Sequence, residues 1–189
     1  IPAAMFMMNA KAVLKSYAES GLDVNKVFTL TNEKLCEGND AGMFVTAWMG
    51  FLNTETGEVT FANAGHNPPL VRHADGSFEY LKVRAGFVLA GMEGVKYRKN
   101  ELQLAPGDVI YLYTDGVTEA TNINDELYGE DRLLALLNAN KEASMEELCK
   151  LVKEDVFAFA GEAPQFDDIT MLALKYCGAT APTNQEEAL

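Results

Sequence analysis

Two apolar segments of the chain are flanked by carboxylates. One segment is followed by an acidic residue, and the other is preceded by two. Residues 108–113 read as a core strand that runs directly into Asp115, whereas Asp167 and Asp168 precede a second apolar run at 169–174. An ionised carboxylate beside a buried strand is costly unless it is paired or bound to a cation. Hard cations such as Mg²⁺ and Mn²⁺ prefer carboxylate and water ligands. The pattern therefore indicates a divalent metal site where these two strands end and begin.

Each acidic motif also has an interpretation without a metal. Asp115 and Gly116 are favoured turn residues, so this motif is compatible with a plain turn after a strand. Asp167 and Asp168 before a strand are compatible with solvated charges that discourage edge pairing and aggregation. The residue pattern by itself leaves these alternatives open.

Composition limits the class of protein. A chain of 189 residues with 48% hydrophobic residues can bury one sizeable core, so we expect one domain. The net charge of −13 argues against a nucleic-acid partner and is typical of a cytoplasmic protein. No apolar run approaches the roughly 20 residues that cross a bilayer, so we expect no membrane contact by this segment. The three cysteines are widely spaced, which predicts free thiols rather than disulfides or a zinc site.

The hydrophobic period changes twice along the chain. Helical spacing comes first, a series of strands in an antiparallel meander follows, and two helices and one strand close the pattern. This order predicts an α+β fold in which helices cover antiparallel sheets. The polar segment 177–189 is predicted to be a disordered tail. The predicted helices are 3–20, 23–37, 130–137 and 144–159, and the predicted strands are 44–52, 59–64, 70–73, 78–81, 97–104, 108–113 and 168–176.

Three motifs in order carry a family resemblance. They are Asn-Ala-Gly-His-Asn-Pro-Pro-Leu at 63–70, Tyr-Thr-Asp-Gly-Val-Thr-Glu-Ala at 113–120 and Asp-Asp-Ile-Thr at 167–170. With them the chain resembles the bacterial PPM-type, or type 2C-like, serine/threonine phosphatases of the sporulation and general-stress sigma-regulator branch. The resemblance covers residues 1–176, which we expect to be the phosphatase domain. It implies an α-β-β-α sandwich of two antiparallel sheets flanked by helices.

The resemblance also implies a site. In that family two Mn²⁺ or Mg²⁺ ions lie at one edge of the sheets, and a water bound to the metals is the nucleophile, so no catalytic side chain is expected. By motif, Asp115 and Asp167 are the expected metal ligands, and Asp168 is a neighbour rather than a ligand. Two hard cations can lower the pKa of a shared water and neutralise charge on a phosphate, which agrees with this expectation.

Residues around these ligands have two interpretations each. His66 could lie near the substrate phosphate or donate a proton to the leaving serine, but we favour a structural role in bracing the rigid turn at Pro68 and Pro69 through hydrogen bonds. Gly116 and Glu119 neighbour Asp115, and Glu119 could either hold ligands in place or satisfy the loop. His73, before a predicted turn, is expected to be a surface residue.

The chain departs from the family pattern in two places. Two acidic signatures, of the Gly-Asp-x-x-Asp and Asp-x-x-Gly-x-Gly types, should precede the segment 1–5, so the resemblance implies an N-terminally truncated domain that lacks its first strands. We therefore expect little or no activity from residues 1–189 alone. In the segment 85–92, Val88 stands where the family pattern has Pro and Ala90 where it has Gly.

The function implied by the resemblance is metal-dependent hydrolysis of phosphoserine or phosphothreonine on a regulatory protein. For this branch the expected substrate is an anti-sigma-factor antagonist in a partner-switching pathway. An upstream sensor domain and a membrane-anchored parent protein are also expected. Whether the protein forms a homodimer is left open. The alternatives are a non-catalytic interaction module, or pseudophosphatase, and a general hydrolase of small phosphoesters.

Overall fold

The computed structural model describes residues 2–74, 76–165 and 167–179. Within these residues the chain forms helices and strands in the order that the sequence predicts, with the short helix α3 in addition. They are α1 (Pro2–Glu19), α2 (Val24–Cys36), β1 (Ala47–Leu52), β2 (Glu58–Ala64), β3 (Leu70–Arg72), β4 (Phe78–Tyr80), β5 (Asn100–Gln103), β6 (Val109–Tyr113), α3 (Asp115–Thr118), α4 (Glu130–Ala139), α5 (Met145–Ala160) and β7 (Met171–Lys175).

The described residues group into two compact units. Each unit has one sheet, its own helices and its own apolar cluster. The first lies within Ile1–Leu52, Glu58–Pro68 and Lys82–Leu102, and the second lies within Asn53–Gly57, Pro69–Leu81 and Gln103–Leu189.

The first unit contains α1, α2 and a sheet of strand order β1-β2-β5. Strands β1 and β2 form the predicted antiparallel hairpin, with Ala47 opposite Ala64. On α2 the apolar side chains recur at helical spacing, and Val27 and Phe28 are completely buried. They join Ala64 in the core of this unit, so the amphipathic pattern of the sequence is the reason why α2 packs there.

The second unit contains α3, α4, α5 and a sheet of strand order β4-β3-β6-β7. Strand β6 lies between β3 and β7 and is antiparallel to both. Tyr111 of β6 is fully buried, in a cluster with Leu137 of α4 and Val152 of α5. Thus β6 is the central strand that carries the chain from the core to Asp115.

The fold class predicted from the sequence is confirmed, since helices accompany two antiparallel sheets. The continuous meander is wrong, because β5 and β6 belong to different sheets although Pro106 and Gly107 connect them. Strand β6 already has a neighbour on each edge, so β5 cannot pair with it. Strands β1, β5 and β7 are also shorter than predicted. Most of the predicted tail, 180–189, lies outside the described residues.

Two further expectations from composition can be compared with the structure. The three cysteines, Cys36, Cys149 and Cys177, are free. Among the described residues, no helix combines the length and the apolar character that a membrane span requires.

The buried side-chain amide of a residue on α2 holds the loop between β4 and β5. Asn32 is fully buried; its Oδ1 accepts hydrogen bonds from the Ala90 N–H at 2.9 Å and the Tyr97 hydroxyl at 3.2 Å. Its Nδ2 donates to the Met92 carbonyl at 2.9 Å. Ala90 has a φ of 64°, a left-handed conformation that favours glycine, which the family pattern has at this position.

A buried carboxylate fixes the start of β6. Asp108 is 1% exposed, and it accepts hydrogen bonds from the Ala74 and Ala105 N–H groups at 2.8 and 3.0 Å. His73 Nδ1 lies 2.9 Å from Asp108 Oδ2. His73 is therefore more than the surface residue that we expected, because its imidazole is a partner of a buried charge. Burial alone would raise the pKa of Asp108, but these hydrogen bonds outweigh it and lower the pKa.

We predict that Asn32→Ala destabilises the protein by about 2–4 kcal/mol, because it removes the three hydrogen bonds of a fully buried amide and leaves the buried Ala90 N–H without its acceptor. Urea unfolding monitored by fluorescence measures the change. Asn9→Ala, at an exposed position of α1, is the matched control and should change stability by less than about 0.5 kcal/mol. Equal effects of the two substitutions would contradict the bracing role of Asn32.

We predict that Asp108→Asn destabilises the protein at neutral pH and loses this effect in acid. Because folding lowers the pKa of Asp108, its contribution is complete above the unfolded value of about 3.9 and falls as the pH decreases through the folded value. The difference in unfolding free energy between wild type and variant should therefore shrink below about pH 4. Exposed Asp40→Asn is the control. A difference that stays constant from pH 7 to pH 3 would refute the assignment.

Candidate metal centre

The candidate centre is built where β6 ends and β7 begins. The ladder between the two strands extends beyond Tyr113 opposite Met171, because the Thr114 N–H donates to the Thr170 carbonyl at 3.0 Å. The Thr114 hydroxyl donates to the Asp168 carbonyl at 3.0 Å and accepts from the Thr170 N–H at 3.0 Å. Thr114 therefore ties the residue before Asp115 to the segment that contains Asp167 and Asp168.

Gly116 brings the two acidic segments into direct backbone contact. A Cβ atom added at Gly116 would lie 2.4 Å from the Asp168 carbonyl oxygen and 3.4 Å from the Asp167 carbonyl carbon. Since no real Cβ atom tolerates the first of these distances, only glycine allows this approach. The motif residue that follows Asp115 is thus explained by packing against the other acidic motif.

Asp115 is the first residue of the helix α3, so the predicted turn at Asp115 and Gly116 is wrong in detail. Its side chain is exposed, and its Oδ1 accepts from the Gly116 N–H at 3.0 Å. Asp167 repeats this arrangement, since it is exposed and its Oδ1 accepts from the Asp168 N–H at 2.6 Å. Both carboxylates are thereby oriented by the backbone.

The carboxylates of Asp115 and Asp167 would supply part of the ligands that a hard divalent cation requires. In the portion of the chain that the structure describes, none of the ion pairs involves Asp115, Asp167 or Asp168. Mg²⁺ is commonly held by one or two carboxylates plus several waters, so Asp115 and Asp167 are a suitable protein contribution. However, the described residues contain no group of three or more His, Cys, Asp or Glu side chains able to hold a metal.

The far end of α3 is anchored by contacts that the sequence did not reveal. The Gly129 N–H donates to the carbonyl of Thr118, which is buried, and the Tyr128 N–H donates to the Ala120 carbonyl. The Tyr128 hydroxyl donates to Asp155 on α5 at 2.7 Å. Arg132 binds both oxygens of that carboxylate at 2.8 Å, which lowers the pKa of Asp155. This network fixes the position of α3 against α5.

A cavity of about 230 Å³ opens beside the acidic motifs in the same unit. Gly116, Glu119 and Asp167 line its polar side, while side chains of α5 and the following loop supply an apolar wall. Glu119 is exposed and donates its N–H to the Asp115 carbonyl at 2.7 Å. The site thus combines carboxylates with an adjoining apolar pocket.

The other predicted residue, His66, belongs to the first unit. Asn63 braces its backbone, since Asn63 Oδ1 accepts from the His66 N–H at 2.8 Å and Asn63 Nδ2 donates to the His66 carbonyl at 2.9 Å. The imidazole is half-buried, with Nδ1 3.4 Å from the Thr46 hydroxyl oxygen. The turn is therefore held mainly by Asn63, a residue within the same motif whose role the sequence did not show.

The fold and the paired acidic motifs define a class, the PP2C-type phosphatase domain. The family model "Stage II sporulation protein E (SpoIIE)" matches residues 1–176. The chain therefore belongs to the stage II sporulation protein E family. This agrees with the resemblance to the sigma-regulator branch of the PPM phosphatases.

Two curated relatives are similar in sequence. Protein IcfG of Synechocystis is 34% identical over 146 residues, which are 77% of this chain and 23% of that protein. Phosphoserine phosphatase RsbU of Bacillus subtilis is 30% identical over 176 residues, which are 93% of this chain and 52% of that protein. The chain thus spans about a quarter and about half of the length of these relatives.

Two solved structures show the same fold. The RsbU and RsbW domains of Rv1364c from Mycobacterium tuberculosis match with a TM-score of 0.80 and 24% identity, over 94% of this chain and 49% of that one. The SiaA-PP2C domain of Pseudomonas aeruginosa matches with a TM-score of 0.78 and 23% identity, over 93% and 71% of the two chains. At these identities the matches establish the fold alone.

We predict that Gly116→Ala destabilises the protein by about 1–3 kcal/mol and weakens Mn²⁺ binding, because its Cβ must displace the Asp168 carbonyl. Thermal unfolding and Mn²⁺ titration measure the two effects. Gly76→Ala is the matched control, since the nearest heavy atom to its added Cβ is at 3.7 Å. If both variants behave alike, the close packing at Gly116 is not important for the site.

Proposed function

We propose that residues 1–176 are the phosphatase domain of a metal-dependent protein serine/threonine phosphatase, and that Asp115 and Asp167 are ligands of its metal centre. The observation that carries this proposal is the direct packing of Gly116 against the backbone of the Asp167–Asp168 segment, which places the segments that carry the exposed side chains of Asp115 and Asp167 in contact. Family membership and the phosphoserine phosphatase RsbU among the relatives support the same reaction.

The residues of the chain have separable tasks in this proposal. Asp115 and Asp167 hold Mn²⁺ or Mg²⁺, while the adjacent backbone N–H groups of Gly116 and Asp168 orient the carboxylates. When bound, such cations activate water and neutralise charge on the phosphate. Thr114 keeps the two segments together, and Asp168 contributes its carbonyl to that contact rather than its carboxylate to the metal.

The substrate we propose is a phosphorylated regulatory protein, in particular an anti-sigma-factor antagonist. The relatives supply the support, since one solved neighbour joins RsbU and RsbW domains in a single protein and another is named for a cell fate determinant, SpoIIE. The cavity beside Asp167 could accept an apolar side chain of a protein substrate, a contact that a small phosphoester does not need. We further propose that the domain works in the cytoplasm, downstream of a sensor domain.

Because the described residues contain no group of three or more His, Cys, Asp or Glu side chains able to hold a metal, we propose that residues 1–189 alone bind metal weakly and turn over slowly. The tests of catalysis therefore use the full-length protein. Equal hydrolysis of p-nitrophenyl phosphate and of a phosphoserine protein would favour the small-phosphoester alternative. Absence of Mn²⁺ binding by the full-length protein would favour a non-catalytic interaction module.

We predict that Asp115→Asn and Asp167→Asn in the full-length protein each reduce Mn²⁺-dependent turnover of a phosphoserine protein by at least about 100-fold, since each removes a ligand charge. Stability should change little, because both side chains are exposed. The matched control is Asp168→Asn, which should retain activity within about threefold because its carbonyl persists. Undiminished turnover in either ligand variant would refute the assignment.

A further inference from the structure

The first unit contains a polar pocket of about 370 Å³ that the proposed chemistry does not use. Arg84, Lys96 and Arg98 line it, and no lining residue is acidic. This is unusual in a chain with 28 Asp and Glu but only 15 Lys and Arg. The pocket is therefore positively charged, whereas the protein as a whole is negatively charged.

The three cations have no acidic partner among the described residues. None of the ion pairs there involves Arg84, Lys96 or Arg98, and all three residues are exposed. Their neighbour Lys99, by contrast, lies 3.8 Å from carboxylate oxygens of Asp23 and Glu101. Three positive charges on one pocket create a positive electrostatic potential there. This potential would attract an anionic ligand.

The same pocket also presents apolar surface. Phe87 and Met92 line it and are 50% and 59% exposed. The loop that carries them is fixed rather than loose, because Asn32 holds the Met92 carbonyl and the Gly86 N–H donates to the Asn63 carbonyl at 2.8 Å. A ligand that combines carboxylates with an apolar group would complement this surface.

We propose that this basic pocket, defined by Arg84, Lys96, Arg98, Phe87 and Met92, binds an acidic segment of a partner protein that contains an apolar residue. Charge complementarity selects the segment, and the pocket receives its apolar side chain. An anionic membrane fits less well, since a bilayer surface is flat and a chain of net charge −13 is repelled by it. The proposal does not depend on the metal centre or on phosphatase activity.

The test measures binding of a fluorescein-labelled peptide, Glu-Asp-Leu-Asp-Glu-Asp, to the whole chain by fluorescence anisotropy in EDTA and low salt. We expect saturable binding that weakens as salt is added, and no binding of the amide analogue Gln-Asn-Leu-Asn-Gln-Asn. Asp115→Asn should bind the peptide as wild type does, so failure at the metal centre is distinguishable from failure here. Absence of saturable binding would overturn the proposal.

Charge reversal locates the site. The triple variant Arg84→Glu, Lys96→Glu, Arg98→Glu should weaken binding by at least about tenfold. If reversal disturbs folding, the neutral set with Gln at the same three positions provides the same test, with a smaller loss.

The matched control reverses three exposed lysines outside the pocket, Lys11, Lys150 and Lys175, and so makes the same change in net charge. It should weaken binding by less than about threefold. Equal losses of peptide affinity in the two triple variants would mean that binding depends on net charge alone. That result would overturn the proposal. Pocket-dependent binding to phosphatidylglycerol vesicles without peptide binding would assign the pocket to membranes and also overturn the proposal.

Discussion

The candidate centre depends on one interaction, the packing of Gly116 against the carbonyl of Asp168. Strands β6 and β7 pair antiparallel, so the end of one meets the beginning of the other, but pairing alone does not bring their flanking residues into contact. The flanking residues come into contact because Thr114 forms hydrogen bonds between them and because Gly116, as a glycine, has no side chain in the way. The segments that carry Asp115 and Asp167 are then held in backbone contact, with both side chains exposed.

Buried and half-buried polar side chains hold loops in both units. Asn32 fixes the loop that lines the basic pocket, Asp108 fixes the start of β6, and Asp155 fixes the segment after α3 through Tyr128. In each case a polar side chain satisfies backbone or hydroxyl groups that burial would otherwise leave unpaired. Loops carry function in many proteins only because a rigid scaffold positions them, and here these contacts provide the rigidity.

The sequence predicted the order of elements because period and turn residues are local signals. Gly57, at φ 76°, ends the first hairpin turn, and Ser144 accepts from the Glu147 N–H at the start of α5. Two antiparallel sheets were expected, but the assignment of β5 and β6 to different sheets was missed, since it depends on which edges of β6 are already paired. The anchors His73, Asn63 and Asp155 were missed for a similar reason, because their partners are chosen by the tertiary fold. Asp115 and Asp167 could be proposed as ligands from the sequence because their motifs flank strands and resemble a family.

The central claim is that Asp115 and Asp167 bind the same metal centre. Crystals of the full-length protein soaked in Mn²⁺ and measured at an anomalous wavelength would test it most directly. We expect an anomalous peak with carboxylate oxygens of both Asp115 and Asp167 at about 2.0–2.3 Å, the range expected for a small hard cation. A peak bound elsewhere, or no peak near these two residues in a catalytically active protein, would contradict it.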